Sequence, residues 1–106
     1  MTTARLRPRA EEDLISNTRR YSSVGGDGLG ERFFASAIAS LRTVERAPGV
    51  GSPHIGELCG VPGLRSWAVK GFPTRWYYFI TGDHIDIVRL LADAQDLVAL
   101  LGDAEQ

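Results

Sequence analysis

Large apolar side chains fall at both parities of Arg75-Trp-Tyr-Tyr-Phe-Ile80 and of Ile85–Leu91, and this constrains the fold more than any other feature. Successive strand residues point to opposite faces, so a sheet with one face in water alternates apolar with polar. These segments do not alternate cleanly, and both faces of the sheet they build therefore want cover. Three strands are expected, over Leu64–Lys70, Arg75–Thr81 and His84–Leu91. Gly82-Asp83 makes a tight connection between the last two, and Gly71-Phe-Pro-Thr74 a looser one between the first two.

Upstream the apolar period is helical. A short strand from Thr3 to Arg7 ends at Pro8, which cannot donate a ladder hydrogen bond and is well placed to open a helix. Ala10, Leu14, Thr18 and Tyr21 recur at helical spacing, with Ile15 beside them. Glu11 and Glu12 near the helix start and Arg19 and Arg20 near its end suit the macrodipole. Gly25-Gly-Asp-Gly28 breaks this helix. A second helix from Leu29 sets Leu29, Phe33, Ala37, Leu41 and Val44 on one stripe, widened by Phe34 and Ile38, and Pro48-Gly-Val-Gly-Ser-Pro53 ends it. Two amphipathic helices joined by a short turn pack as an antiparallel hairpin.

Gly51 to Gly63, rich in Gly and Pro, is expected to be irregular. Asp93 can cap a last short helix through Leu101, stopped by Gly102. The fold class is α+β: an N-terminal strand, an antiparallel helical hairpin, three antiparallel strands completing one small sheet, and a short C-terminal helix. The hairpin covers one sheet face. The last helix is small for the other, so a partner is expected over part of it.

A chain of 106 residues is most simply one domain, spanning 1–106. With 43% hydrophobic and 24% charged residues it has the profile of a globular protein rather than a disordered one. No apolar run approaches the roughly 18 residues of a membrane span. Met1-Thr-Thr-Ala-Arg-Leu-Arg-Pro8 lacks the apolar core of a signal peptide. Cys59 is the only cysteine, so no internal disulfide can form, which fits the reducing cytosol. A cytoplasmic location without membrane contact is expected. The net charge is −1, with 12 basic residues against 13 acidic, whereas gripping a polyanion calls for an excess of Lys and Arg. Direct nucleic-acid binding is not expected.

His54 lies in a Gly/Pro-rich loop and His84 at a turn; neither has a neighbouring His, and with one Cys there is no zinc spacing. No metal, no cofactor and no catalytic residue is assigned. Cys59 reads as a packed thiol, without a local base to activate it. Gly25-Gly-Asp-Gly-Leu-Gly30 follows a helix rather than a strand and lacks the Lys-Ser/Thr ending of a phosphate cradle, so it reads as a hairpin turn. Arg89, set among aliphatic residues, either pairs with a carboxylate or contacts a partner. Arg65, Lys70 and Arg75 form either a small basic patch or an ordinary solvated edge. Trp67, Trp76 and Tyr78 suit the core, and aromatics are also the usual anchors of interfaces.

The order of elements resembles the RelE/ParE superfamily of bacterial toxins over nearly the whole chain. The resemblance is carried by Pro8-Arg-Ala-Glu-Glu-Asp-Leu14, Val44-Glu-Arg-Ala-Pro-Gly-Val-Gly51, Gly63-Leu-Arg65, Tyr77-Tyr78, and Ile85-Asp-Ile-Val-Arg89 followed by Asp96-Leu97. It is nearer the ParE branch. RelE-type members are ribosome-dependent mRNA nucleases, generally basic, many with His shortly after the last strand. Aligned on Arg89 that position falls at Ala92, which can neither donate nor accept a proton, and no Lys, Arg, His or Tyr follows Leu91. ParE-type resemblance implies a type II toxin that binds DNA gyrase without chemistry of its own. It also implies a ParD-like antitoxin in hetero-complex, with a ribbon-helix-helix DNA-binding half and a tail that folds over the toxin. The partner-binding candidates are Arg65, Trp67, Lys70, Arg75, Trp76, Arg89, Leu91 and Leu97. The alternatives are an mRNA interferase using Arg65, Lys70, Arg75 and Arg89 as phosphate clamps, and a non-toxic member that only binds its antitoxin.

Overall fold

The computed structural model describes residues 2–92; the helix expected over 93–101, and Leu97 with it, lie outside them. Among the described residues the chain runs β1 (Thr3–Leu6), α1 (Pro8–Gly25), α2 (Asp27–Arg46), a 3-10 turn (Pro48–Val50), α3 (His54–Cys59), β2 (Arg65–Ala68), β3 (Thr74–Ile80) and β4 (His84–Ala92).

Pro8 opens α1, where its missing N–H and fixed φ cost nothing. The helix runs past Arg20 to Gly25, so Arg19 and Arg20 do not occupy its last turn, which carries no basic residue. Of the Gly-rich stretch only Gly26 interrupts the helices. Its φ of 84° is one that side chains rarely adopt, and its N–H donates to the Ser22 carbonyl at 2.9 Å. Gly28 and Gly30 fall inside α2, which starts earlier than the apolar stripe suggests. Gly30 is buried where the two helices cross, and a Cβ there would run into Ser22.

The sheet order among the described strands is β1-β4-β3-β2. β2, β3 and β4 are antiparallel neighbours, and β1 lies parallel to β4, the hairpin supplying the crossover that a parallel pair needs. Tyr77 pairs with Arg89 but Tyr78 with Ile87, which leaves Val88 as the extra residue of a β-bulge. Past the bulge β4 changes parity. Ile85, Ile87 and Leu90 pack in one core; Val88 and Leu91 pack in the other.

The larger core lies between the helical hairpin and the sheet. Ala10, Leu14, Phe33, Ala37, Leu41 and Val44 meet Trp76, Tyr78, Ile85, Ile87 and Leu90 there. Tyr21, Phe33 and Phe72 form a three-ring cluster, with centroids 4.8 to 5.1 Å apart, that ties α1 and α2 to the β2–β3 loop. Phe34 and Ile15 do not join the stripes; both are exposed.

On the opposite face Val61, Leu64, Tyr77, Val88 and Leu91 are buried, with Ile55, Cys59 and Phe79 packed against them. Ile55 and Cys59 belong to α3, a helix inside the segment expected to be irregular. Gly60 closes it in the left-handed region, at φ 70°. The centre of this face is thus covered by the chain itself, through the segment the sequence left irregular.

Two carboxylates close one side of the sheet. Glu45 of α2 accepts the Ala4 N–H of the edge strand β1 at 2.8 Å and Arg42 Nη1 at 2.8 Å. Burial pushes its carboxyl up, but the Ala4 and Arg42 hydrogen bonds and the Arg42 charge outweigh that and hold it below its ordinary 4.5. The folded pKa is therefore below the unfolded one, so this stabilisation is complete above about pH 4.5 and is lost as pH falls through the folded value. Acid titration of thermal stability should show a steeper loss below that pH in the native chain than in Glu45→Gln.

Where β1 ends, Asp13 of α1 takes over. Its Oδ2 accepts the Leu90 N–H of β4 at 3.0 Å, a backbone donor that has no strand beside it there. The Thr74 hydroxyl, fully buried, has no hydrogen-bond partner among the described residues. Thr74→Val removes that orphan at almost constant shape and should raise stability by about 1 kcal/mol in urea denaturation.

Candidate functional site

Arg89, read in sequence as either paired or partner-facing, is paired. Its Nε and Nη2 donate to Asp13 Oδ2 and Oδ1 at 2.7 and 3.0 Å. Side-chain exposure is 8% for Arg89 and 15% for Asp13, so the two-pronged contact lies almost wholly inside the protein. A second such pair, Arg7 with Asp86 at 3.0 and 2.8 Å, joins the start of α1 to β4. Between them they fasten the last strand to the first helix from both ends.

Of the two readings left open for Arg65, Lys70 and Arg75, the small basic patch does not assemble. Arg65 pairs across the sheet with Tyr78, whose ring is in the helix-side core, while Arg75 pairs with Leu91, which is in the other core. Arg65 and Arg75 therefore start from opposite faces. Arg65 Nη1 donates to the Gly51 and Gly49 carbonyls at 2.6 and 3.2 Å. Arg75 Nε donates to Ser66 Oγ at 3.0 Å. Tyr78 strengthens the grip of Arg65 on the loop, its hydroxyl donating to the Pro48 carbonyl at 2.6 Å and accepting the Gly51 N–H at 2.9 Å. Burial raises the Tyr78 phenol above its ordinary value, partly offset by the Gly51 N–H and the Arg65 charge, which keeps it a neutral donor.

Trp76 is fully buried, its Nε1–H donating to the Ala37 carbonyl at 3.0 Å, so it offers a partner no surface. Leu91 is buried in the second core. Trp67, directly across the ladder from Trp76, is only half-buried, and Lys70 is exposed. These two meet. Trp67, Ala68 and Lys70 line one side of a groove of about 210 Å³ whose other side is Ser36, Ala39, Ser40 and Thr43 of α2.

A larger cavity, of about 470 Å³, lies between α1 and α2 and is lined by Thr18, Ser22, Asp27, Glu31 and Phe34, none of them a sequence candidate. At the β3–β4 turn, Asp83 and Thr81 both meet the same ring nitrogen of His84, Nδ1, at 2.7 and 3.0 Å. An acid–base relay needs its carboxylate and hydroxyl on different ring nitrogens, so this cluster fastens the turn. The His84 hydrogen bond lowers the Asp83 pKa. Among the described residues no group of three or more His, Cys, Asp or Glu could hold a metal, and no helix is long and apolar enough to cross a membrane.

Sequence reasoning missed the α2 side of the groove. Ser36, Ala39, Ser40 and Thr43 recur at helical spacing beside the apolar stripe, with Ser40 itself buried, and small residues flanking a stripe read as its solvated border. It also missed Asp13, whose link to Arg89 spans 76 positions.

No family model and no curated protein matches the chain. Among solved structures, a chain of the one described as "Chromosomal ParDE TA system from P. aeruginosa" superposes with a TM-score of 0.74 over 87% of this chain and 96% of that one, at 19% identity. At that identity the likeness is one of fold, and the resemblance expected from the sequence holds at that level: this chain is built on the same architecture as a chain of a ParDE toxin–antitoxin structure.

Proposed function

We propose that the protein is a ParE-like toxin of a type II toxin–antitoxin module, a single cytoplasmic domain that inhibits DNA gyrase by binding it. A ParD-like antitoxin with a ribbon-helix-helix DNA-binding half neutralises it in hetero-complex. The observation that carries this choice over an mRNA interferase is the placement of the arginines. A phosphate clamp needs guanidinium groups converging on one open site. Here Arg89 is held by Asp13, Arg65 by loop carbonyls and Arg75 by Ser66, on different sides of the sheet. Of the partner-binding candidates within residues 2–92, Lys70 is exposed and Arg65, Trp67 and Arg75 are half-buried, while Trp76, Arg89 and Leu91 are buried.

Supercoiling by purified gyrase, with and without the protein, is the test. Inhibition that a co-expressed antitoxin relieves is the expected result. Messenger cleavage in the ribosomal A site, seen by toe-printing in cell-free translation with gyrase unaffected, would reverse the assignment.

A further inference from the structure

We propose that the outer face of the helical hairpin is a self-association surface, on which α2 packs antiparallel against α2 of a second copy of this chain. The apolar part of that face is continuous. Phe34 is 45% exposed and Ile15 52%, although both helices turn their main apolar stripes inward. Ile15 lies one turn before Thr18 on α1 and Ile38 one turn after Phe34 on α2, and Thr18 and Phe34 line the same cavity between the helices. Ile38 is half-buried and packs against the larger core. Together the three side chains form a strip on the hairpin instead of singly scattered apolar residues.

Charge decides what covers the strip. Asp27 and Arg46 are the first and last residues of α2, while Glu31 is the fifth and Arg42 the fifth from the end. All four are exposed. With Phe34 and Ile38 between them they follow one another at spacings of three or four. The stripe is therefore acidic at one end, apolar in the middle and basic at the other. A two-fold axis through the middle of such a helix sets Glu31 against Arg42 of the second copy, Arg42 against its Glu31, and Ile38 against the small Ala35. Helix-terminus charge alone does not account for this arrangement. The macrodipole acts within the terminal turns, where Asp27 and Arg46 lie, whereas Glu31 and Arg42 stand a turn further in. A partner of unrelated sequence needs no such symmetry; a second copy of this chain does.

The cavity of about 470 Å³ gives the arriving arginine a seat, between Thr18 and Ser22 of α1 and Asp27, Glu31 and Phe34 of α2. Neither carboxylate is in an ion pair among the described residues. The Thr18 hydroxyl donates to the Leu14 carbonyl at 2.8 Å, and its oxygen stays open to accept. Two carboxylates, an accepting hydroxyl and an aromatic ring suit a guanidinium. Arg42, its side chain 61% exposed, donates from Nη1 to Glu45 Oε1 at 2.8 Å, which leaves its other nitrogens to reach across. α2 has 20 residues and so spans about 30 Å. A face of that length lies at the small end of specific interfaces, so a dimer with a dissociation constant on the order of micromolar is expected.

The oligomeric state of the purified full chain, followed by sedimentation velocity across concentration, is the test. The wild-type chain should pass from monomer to dimer as concentration rises. Glu31→Arg alone and Arg42→Glu alone each set like charges together at both symmetry-related sites. Each should raise the dissociation constant about a hundredfold, about tenfold per site. An equimolar mixture of the two should recover wild-type association, because the reversed charges then face each other and so do the native ones. Arg42→Glu also repels Glu45, so Asp27→Arg mixed with Arg46→Glu repeats the experiment with the Arg42–Glu45 contact intact. Phe34→Ser, at an exposed position, should weaken association about tenfold with little change in thermal stability. Thermal unfolding of every variant verifies its fold. A chain that stays monomeric at every concentration, a dimer indifferent to these substitutions, or mixtures of folded variants that do not recover would overturn the proposal. The toxin–antitoxin reading is tested separately and survives any of these outcomes.

Discussion

Asp13→Ala is expected to cost about 3–5 kcal/mol of folding stability, read as a lower urea midpoint at unchanged slope. The substitution does more than delete an ion pair. It leaves the Arg89 guanidinium, with 8% of its side chain exposed, without the carboxylate that Nε and Nη2 both donate to. It also strands the Leu90 N–H, which bonds Asp13 Oδ2 at 3.0 Å. Replacing both partners, Asp13→Leu with Arg89→Met, should recover much of the loss, because no charge is then left buried. A cost below about 1 kcal/mol for Asp13→Ala would mean that the pair does not hold β4 to α1. The consequence for function is direct. Loss of growth inhibition in an Arg89 variant would report on folding, and such a variant cannot be scored as a contact lesion until its stability has been measured.

The two tryptophans should separate folding from binding. Trp76→Ala empties a fully buried site and removes a donor to the Ala37 carbonyl, so a loss of about 3–5 kcal/mol is expected. Trp67, its cross-strand neighbour, is half-buried at the groove, and Trp67→Ala should cost about 1 kcal/mol. On the proposed toxin–antitoxin reading, the order reverses in affinity for the antitoxin. Trp67→Ala, well folded, should bind more weakly, by about tenfold if its ring is an interface anchor. Urea titration and binding measured on the same preparations check both halves. Equal stability losses at the two positions would contradict the burial difference.

Much of this was legible in the sequence, for identifiable reasons. The change from helical to strand period near Leu64 located both layers, and a glycine turn between two amphipathic runs gave the hairpin, although only Gly26 does the turning. The double-parity strands correctly implied cover on both faces. Their irregularity had a second cause, the bulge at Val88, which moves Leu90 and Leu91 out of step with Ile85 and Ile87. α3 was hidden because six residues are too few to show a 3.6 period, and its clearest signal was the terminator Cys59-Gly60.

The failed basic patch could have been excluded by counting. Once Val69 and Thr74 close the β2–β3 connection, Ala68 must oppose Arg75, and Arg65, an odd number of positions from Ala68, must face the other way. No such count finds Asp13 for Arg89, because the meeting of a helix with a strand 76 positions away is fixed only by tertiary packing.

The asymmetry of the sheet's two margins sets a limit on assembly. One margin is sealed by Glu45 at β1 and by Asp13 where β1 stops short. Among the described residues the other is bridged at Ser66 and has no pairing at Ala68. A sheet so finished has a valency of one: it can accept a single guest strand, and it is too narrowly open for two copies to zip together into a chain.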